Sequence, residues 1–175
     1  SGIWYDYQTH AIAVDATEGP QTVTLDTPLT SVNVHIYGGT VLPRQSSAMT
    51  TTVAKQTPFN LIVALCPLGG AYGELFVDDG VQVDGDIPSN MLHMSYKASH
   101  GTQLVGSINS ATYRGPEAKL PLNTIHVLGV TNEPTKVTMN SSTQSVTFTY
   151  DSSTAALTVS IEGLVVSEEF TLVWE

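Results

Sequence analysis

The chain has 175 residues, of which 41% are hydrophobic and 13% are charged, so it can form one ordinary domain or two small ones without disulfide bonds. Its 16 acidic and 6 basic residues give a formal net charge of -10. This charge argues against nucleic acid or an anionic lipid surface as a partner, because both would repel the chain.

The chain opens with SGIWYDYQTH, which has no initiator methionine, no cationic flank and no apolar targeting run. We therefore expect the sequence to be part of a longer protein. No apolar stretch approaches the ~18 to 20 residues of a transmembrane helix, so we expect no membrane span in this chain.

Alternation of apolar and polar residues predicts short β-strands in the first half of the chain. In QTVTLD, Val23 and Leu25 fall on one face of such a strand, and in VNVHIY, Val32, Val34 and Ile36 do the same. The opposite face of VNVHIY carries Asn33, His35 and Tyr37. FNLIVALC has the composition of a strand buried on both faces, and AYGELFVDDG is expected to run into an Asp-Gly turn.

A second set of strands follows the stretch VDGDIPSN, whose glycine, proline, serine and asparagine indicate a linker. The clearest of these strands is AALTVSIEG, in which Leu157, Val159 and Ile161 fall on one face. The sequence therefore predicts an all-β fold of two consecutive antiparallel β-sandwich domains, at residues 1–85 and 86–175. The alternative is a single larger sandwich that contains all the strands.

Asp78 and Asp79 are adjacent in FVDDG, and paired carboxylates serve both glycoside hydrolysis and calcium binding. Neighbouring residues on a strand point to opposite faces, so this pair cannot flank one sugar ring without a bend. We expect Asp78, Asp79 and Gly80 to form a structural turn in which the carboxylates accept hydrogen bonds from local backbone N–H groups. A calcium site that also uses Asp84 and Asp86 is the alternative.

The other residues that commonly carry chemistry form no recognisable site. The histidines, which lack metal-ligand spacing, are His10, His35, His93, His100 and His126. We therefore expect no metal site, and the sequence contains no G-x-S-x-G nucleophile motif. The aromatic residues considered for a sugar-binding platform are Trp4, Tyr5, Tyr7, Tyr150 and Trp174. Because only 7% of the chain is aromatic, we expect these residues in the core.

The triplet NSS makes Asn140 a candidate glycosylation site, because it matches the N-x-[ST] pattern without a proline in the middle. It falls between the predicted strands KVTMN and QSVTFTYD, where a turn would face solvent. We expect Asn140 to carry a glycan when a secretory eukaryotic host makes the protein.

Three motifs occur in a characteristic order. They comprise Trp4, Tyr5 and Asp6, then His35, Gly38, Gly39 and Pro43, and then Asp78, Asp79 and Gly80. In this order they resemble the region that follows the catalytic barrel in glycoside hydrolase family 31, in particular its lysosomal and intestinal α-glucosidases. The chain departs from the family pattern at His10, where a glycine is usual, and at Tyr37, where an arginine is usual.

The resemblance implies the C-terminal, non-catalytic segment of a retaining α-glucosidase that hydrolyses terminal α-linked glucose from oligosaccharides. The catalytic carboxylates would lie in a preceding (β/α)8 barrel, so this chain would contain no catalytic residue. It would need no cofactor, and its partner would be the barrel, which would bind the oligosaccharide. We expect Asn33, His35 and Tyr37 to contact that barrel. The resemblance also implies a location in the secretory pathway, either outside the cell or in a lysosome or vacuole.

The alternative function is that of a free-standing module. In this reading, a β-sandwich binds carbohydrate or another protein through its surface, without a catalytic part.

Overall fold

The computed structural model describes residues 2–80, 90–139 and 145–175. Within them the strands are β1 (Ile3–Asp6), β2 (Ile12–Asp15), β3 (His35–Tyr37), β4 (Thr40–Gln45), β5 (Phe59–Ala64), β6 (Ala71–Val77), β7 (Leu92–Ser99), β8 (Gln103–Ala111), β9 (Leu122–Leu128), β10 (Val137–Met139), β11 (Ser145–Asp151), β12 (Ala156–Glu162) and β13 (Phe170–Trp174). The helices are α1 (Thr51–Ala54) and a 3-10 helix (Pro116–Lys119). The prediction of an all-β fold is confirmed. Among these described residues, neither helix is long or apolar enough to cross a membrane.

Ten of the described strands form one large sheet, in the order β10-β13-β8-β7-β6-β4-β5-β9-β12-β11. Its edge strands β10 and β11 contact each other, so the sheet folds round and encloses the main core. The inward side chains recur with the period of two that a half-buried strand requires, as Leu157, Val159 and Ile161 show on β12. These residues are buried, as their alternation in the sequence predicts.

Strands from both sides of the predicted domain boundary take part in this sheet. β5 runs parallel to β9, and β6 pairs antiparallel with β7. The main core also contains residues from both halves of the chain, from Val41 to Trp174. The alternative prediction, a single larger sandwich, requires such a shared sheet. Because residues 81–89 lie outside the described residues, the division at residue 85 stays a prediction.

A small sheet in the order β2-β1-β3 packs on the outer side of the large sheet. The buried residues between them are Tyr5, Ile36, Ile62, Ala64, Leu128 and Ala156. Tyr5 is 1% exposed, and its hydroxyl donates a hydrogen bond to the carbonyl of Leu65 at 2.8 Å. Burial is the main cause that raises the pKa of Tyr5 to about 12. The small sheet is therefore held against the large sheet by apolar packing and by the hydrogen bond from Tyr5.

One predicted strand is absent, and another is shorter than predicted. The structure has no strand at QTVTLD, and β3 begins only at His35, late in VNVHIY. Val23, Val32 and Val34 are consequently exposed, whereas Ile36 is buried. An alternating segment forms a strand only where a neighbouring strand satisfies its backbone N–H and C=O groups. No described strand pairs with this part of the chain.

Candidate docking surface

The small sheet presents two large aromatic side chains to solvent, next to each other. The antiparallel pairing of β1 with β3 places Trp4 opposite Tyr37 and Asp6 opposite His35. All four side chains point away from the core, because the intervening Tyr5 points into it. Trp4 is 41% and Tyr37 is 45% exposed, and their ring centroids are 4.9 Å apart. We name these four residues the outer face.

Local contacts hold the outer face in place. The Asp6 carboxylate accepts hydrogen bonds from the backbone N–H groups of Gln8 at 2.9 Å and Thr9 at 2.7 Å. The bond from the Thr9 backbone is the largest cause that keeps the pKa of Asp6 below its usual value. A Cβ at Gly2 would lie 2.7 Å from the ring of Tyr37, so the ring packs directly on the Gly2 backbone. The aromatic side chains are thus presented from an ordered support.

An exposed apolar segment, residues 20–34, leads into β3. Every residue of this segment is exposed. Its large apolar side chains belong to Val23, Leu25, Leu29, Val32 and Val34. Soluble proteins rarely leave so much apolar surface together in water unless another surface covers it. The exposed segment and the outer face together form the candidate docking surface.

The structure brings two of the three predicted docking residues onto the outer face. His35 and Tyr37 lie there, whereas Asn33 lies in the exposed segment and donates a side-chain hydrogen bond to the carbonyl of Asp26 at 2.9 Å. Sequence reasoning did not include Trp4 in this surface. Its position opposite Tyr37 depends on the register of β1 against β3, which periodicity alone does not specify.

A cluster of basic side chains lies between the small sheet and the large one. Arg44 donates a hydrogen bond to the Tyr7 hydroxyl at 3.2 Å, and the rings of His10 and His126 are 4.8 Å apart. Burial, together with the charges of His10 and Arg44, lowers the pKa of His126 to about 4. Burial and Arg44 also lower the pKa of His10. No spacing rule brings these histidines together, so the sequence alone does not predict this cluster.

Asp78, Asp79 and Gly80 follow β6. The Asp78 carboxylate accepts a hydrogen bond from the Gly80 N–H at 2.9 Å, and Gly80 has a φ of +69°, in the left-handed region that favours glycine. Nearby, the Tyr113 hydroxyl donates to Glu117 at 2.5 Å, and this bond is the main cause that raises the pKa of Tyr113 to about 12. The described parts of the chain contain no group of three or more metal-ligating side chains.

Two further carboxylates accept hydrogen bonds from the backbone. Glu168 accepts from the N–H of Val165, and Glu169 accepts from the N–H of Ile108, each at 3.2 Å. Asp84 and Asp86, which the alternative of a calcium site adds to Asp78 and Asp79, lie outside the described residues, as does Asn140. Glycosylation of Asn140 therefore stays a prediction, and the calcium site stays an untested alternative.

The aromatic residues considered for a sugar-binding platform do not lie together. Tyr5 and Trp174 are buried, Tyr7 and Tyr150 are half-buried, and Trp4 is exposed. The expectation of a core position is therefore wrong for Trp4. Sequence reasoning also missed Tyr72 and Phe76 on β6, which are 52% and 58% exposed. The alternation in AYGELFV is the signal that would have placed them on one outward side.

Comparison with known proteins gives sequence matches over the whole chain, although no protein-family model matches it. The chain is 35% identical over 175 residues to an α-glucosidase of Schizosaccharomyces pombe. It is 33% identical over 186 residues to the lysosomal α-glucosidase of Bos taurus. Each match covers 99% of this chain but only 17% and 19% of the relative. The chain therefore spans less than a fifth of the length of these relatives.

Solved structures share the fold over the whole chain. The ER glucosidase II heterodimeric complex aligns with a TM-score of 0.77 and 24% identity, covering 100% of this chain and 20% of that chain. A GH31 dextranase of Flavobacterium johnsoniae aligns with a TM-score of 0.71 and 13% identity, covering 100% of this chain and 23% of that chain. At these identities the structures show the fold, and the sequence matches show the relationship. The chain therefore corresponds to one segment of the α-glucosidases of glycoside hydrolase family 31, as its three motifs predict.

Proposed function

We propose that the chain is a non-catalytic, C-terminal segment of a retaining α-glucosidase that hydrolyses terminal α-linked glucose from oligosaccharides. Its role is to support the catalytic barrel of that enzyme. The coverage of the relatives supports this proposal, since a match to all of this chain accounts for only 17% of the S. pombe α-glucosidase. The relative from Bos taurus is named as lysosomal, which supports a location in the secretory pathway.

The observation that carries the proposal is the candidate docking surface. Its two aromatic side chains are 41% and 45% exposed, and its apolar segment is exposed along its whole length in the described part of the chain. Burying apolar surface contributes about 25 cal/mol per Å², so a covering partner would stabilise this arrangement. The barrel of the same enzyme is the partner that the family relationship supplies. His35 and Tyr37 would lie at this contact, and Asn33 would lie beside it.

Replacing Tyr37 with aspartate is expected to weaken association with the catalytic part at least about tenfold, because a charge would enter an apolar contact. The experiment co-expresses the 175-residue chain with a tagged remainder of its parent enzyme and measures co-purification and affinity. Met49→Asp, at a fully exposed methionine outside this surface, is the matched control. Association of the Tyr37 variant at the control level would contradict the proposed contact.

The isolated chain is expected to show no hydrolysis of an aryl α-glucoside above the buffer background. Retaining hydrolysis needs two carboxyl groups about 5 to 5.5 Å apart across the scissile bond. Asp78 instead accepts a hydrogen bond from its own turn. Asp79→Asn is expected to affect stability rather than chemistry. Turnover by the purified chain that Asp79→Asn abolished, without a fall in melting temperature, would overturn the non-catalytic assignment.

A free-standing binding module is the second candidate. If the chain is such a module, it should not associate with the tagged catalytic part. The same co-purification experiment therefore separates the two proposals.

A further inference from the structure

A second surface, away from the outer face, combines aromatic and polar side chains. On β6, Tyr72, Glu74 and Phe76 point outward from the large sheet. Register places Phe76 opposite His93 on β7, and their rings stack at 4.0 Å with planes 19° apart. Asn109 on β8 lies next to His93. We name these five residues the β6–β8 surface.

The polar groups of the β6–β8 surface are linked to one another. The Tyr72 hydroxyl donates a hydrogen bond to the Glu74 carboxylate. Nε2 of His93 lies 3.5 Å from Oε1 of Glu74 and 3.2 Å from Nδ2 of Asn109. These contacts fix the Glu74 carboxylate between the two exposed aromatic rings, with the His93 imidazole and the Asn109 amide beside it. The surface is therefore organised before any ligand arrives, which lowers the entropy lost on binding.

This arrangement suits a ligand with apolar faces and hydroxyl edges. The aromatic rings offer flat apolar surfaces, while the carboxylate accepts and the amide both donates and accepts hydrogen bonds. Tyr72 and Phe76 are four residues apart on one strand, or about 13 Å, which fits an oligosaccharide better than a single sugar ring. The cores of protein interfaces are depleted of Glu and Lys, so Glu74 between the rings, with Lys97 opposite Tyr72, disfavours a protein partner.

We propose that the β6–β8 surface binds a neutral α-glucan oligosaccharide through stacking on Tyr72 and Phe76 and hydrogen bonds to Glu74 and Asn109. This inference rests on the proposed function for the class of sugar. The site holds glucan on the non-catalytic segment and raises its local concentration near the barrel. It uses different residues from the candidate docking surface, so the two proposals can fail separately.

Affinity electrophoresis in native gels containing soluble starch, with calorimetry on maltoheptaose, tests the site on the 175-residue chain. Wild-type chain is expected to be retarded by starch. The double variant Tyr72→Ala with Phe76→Ala is expected to lose at least about tenfold in affinity, and Glu74→Gln is expected to lose less. Phe148→Ala, at a partly exposed aromatic on β11, is the control and should bind like the wild type. Urea unfolding checks that each variant is folded.

Absence of retardation of the wild-type chain, or equal affinity of the double variant and the wild type, would overturn the site. Loss of association with the remainder of the enzyme in the double variant, with starch binding unchanged, would identify a protein contact instead. Tyr37→Asp should leave starch binding intact, so a failed docking test and a failed starch test remain distinguishable.

Discussion

Replacing Gly73 with alanine is expected to destabilise the chain by about 3 kcal/mol. Gly73 lies on β6, where this strand passes closest to β4. A Cβ at this position would lie 1.9 Å from the carbonyl oxygen of Val41. That carbonyl belongs to the backbone of β4, which also pairs with β5 along its whole length. It cannot move aside without disturbing the middle of the ten-stranded sheet.

Thermal and urea denaturation measure this effect, which corresponds to a fall in melting temperature of about 6–12 °C for a chain of this size. Gly70→Ala is the matched control, because a Cβ there would lie 3.6 Å from Sγ of Cys66, an ordinary contact. The control is expected to be neutral or slightly stabilising. Equal melting temperatures of the two variants would show that β4 and β6 have room to separate.

The sequence predicted the strands best where a neighbouring strand in the same chain completes them. On β12, alternation correctly predicted that Leu157, Val159 and Ile161 are buried. In the exposed segment the same alternation at Val23 and Leu25 produced no strand. A period of two predicts that one face of a segment will be buried. It does not predict whether the residues that bury this face belong to the same chain.

Contacts between distant parts of the chain were beyond the reach of local patterns. The parallel pairing of β5 with β9 joins strands from the two halves of the chain, and no turn motif links them. The close approach at Gly73 is a further case, because a glycine within a strand can indicate that another backbone lies close but does not identify which one. Register and close approach are properties of the folded sheet.

The candidate docking surface was predictable in part. Alternation put His35 and Tyr37 on one side of their strand, and both lie on the outer face. Trp4 joins them through strand pairing, and Asn33 precedes β3 instead of lying on it. The basic cluster could not be predicted, because it brings His10 from the turn after β1 against His126 on β9.

Acidification from about pH 7 to about pH 4.5 is expected to destabilise the folded chain through His126. Nδ1 of this half-buried ring lies 3.1 Å from Oγ1 of Thr158, and the charged groups that act on it are His10 and Arg44. Burial is the largest cause that lowers its pKa from 6.5 to about 4. Between these values the unfolded chain binds a proton that the folded chain does not. The free energy of unfolding should therefore be highest above pH 6.5, fall towards pH 4 and level off below it.

The two pKa values set an upper limit of about 3 kcal/mol for this loss, and solvent screening of a half-buried ring reduces it to about 1–2 kcal/mol. Carboxylates with a lowered pKa, such as Asp6, lose their contribution at lower pH, whereas His10, whose pKa is also lowered by burial and Arg44, adds a loss in the same direction as His126. Urea unfolding across this range is expected to show a flatter pH dependence for His126→Gln, which does not titrate. His100→Asn, at an exposed histidine, should keep the wild-type slope. If His126→Gln loses as much stability on acidification as the wild type, the buried imidazole is not the cause.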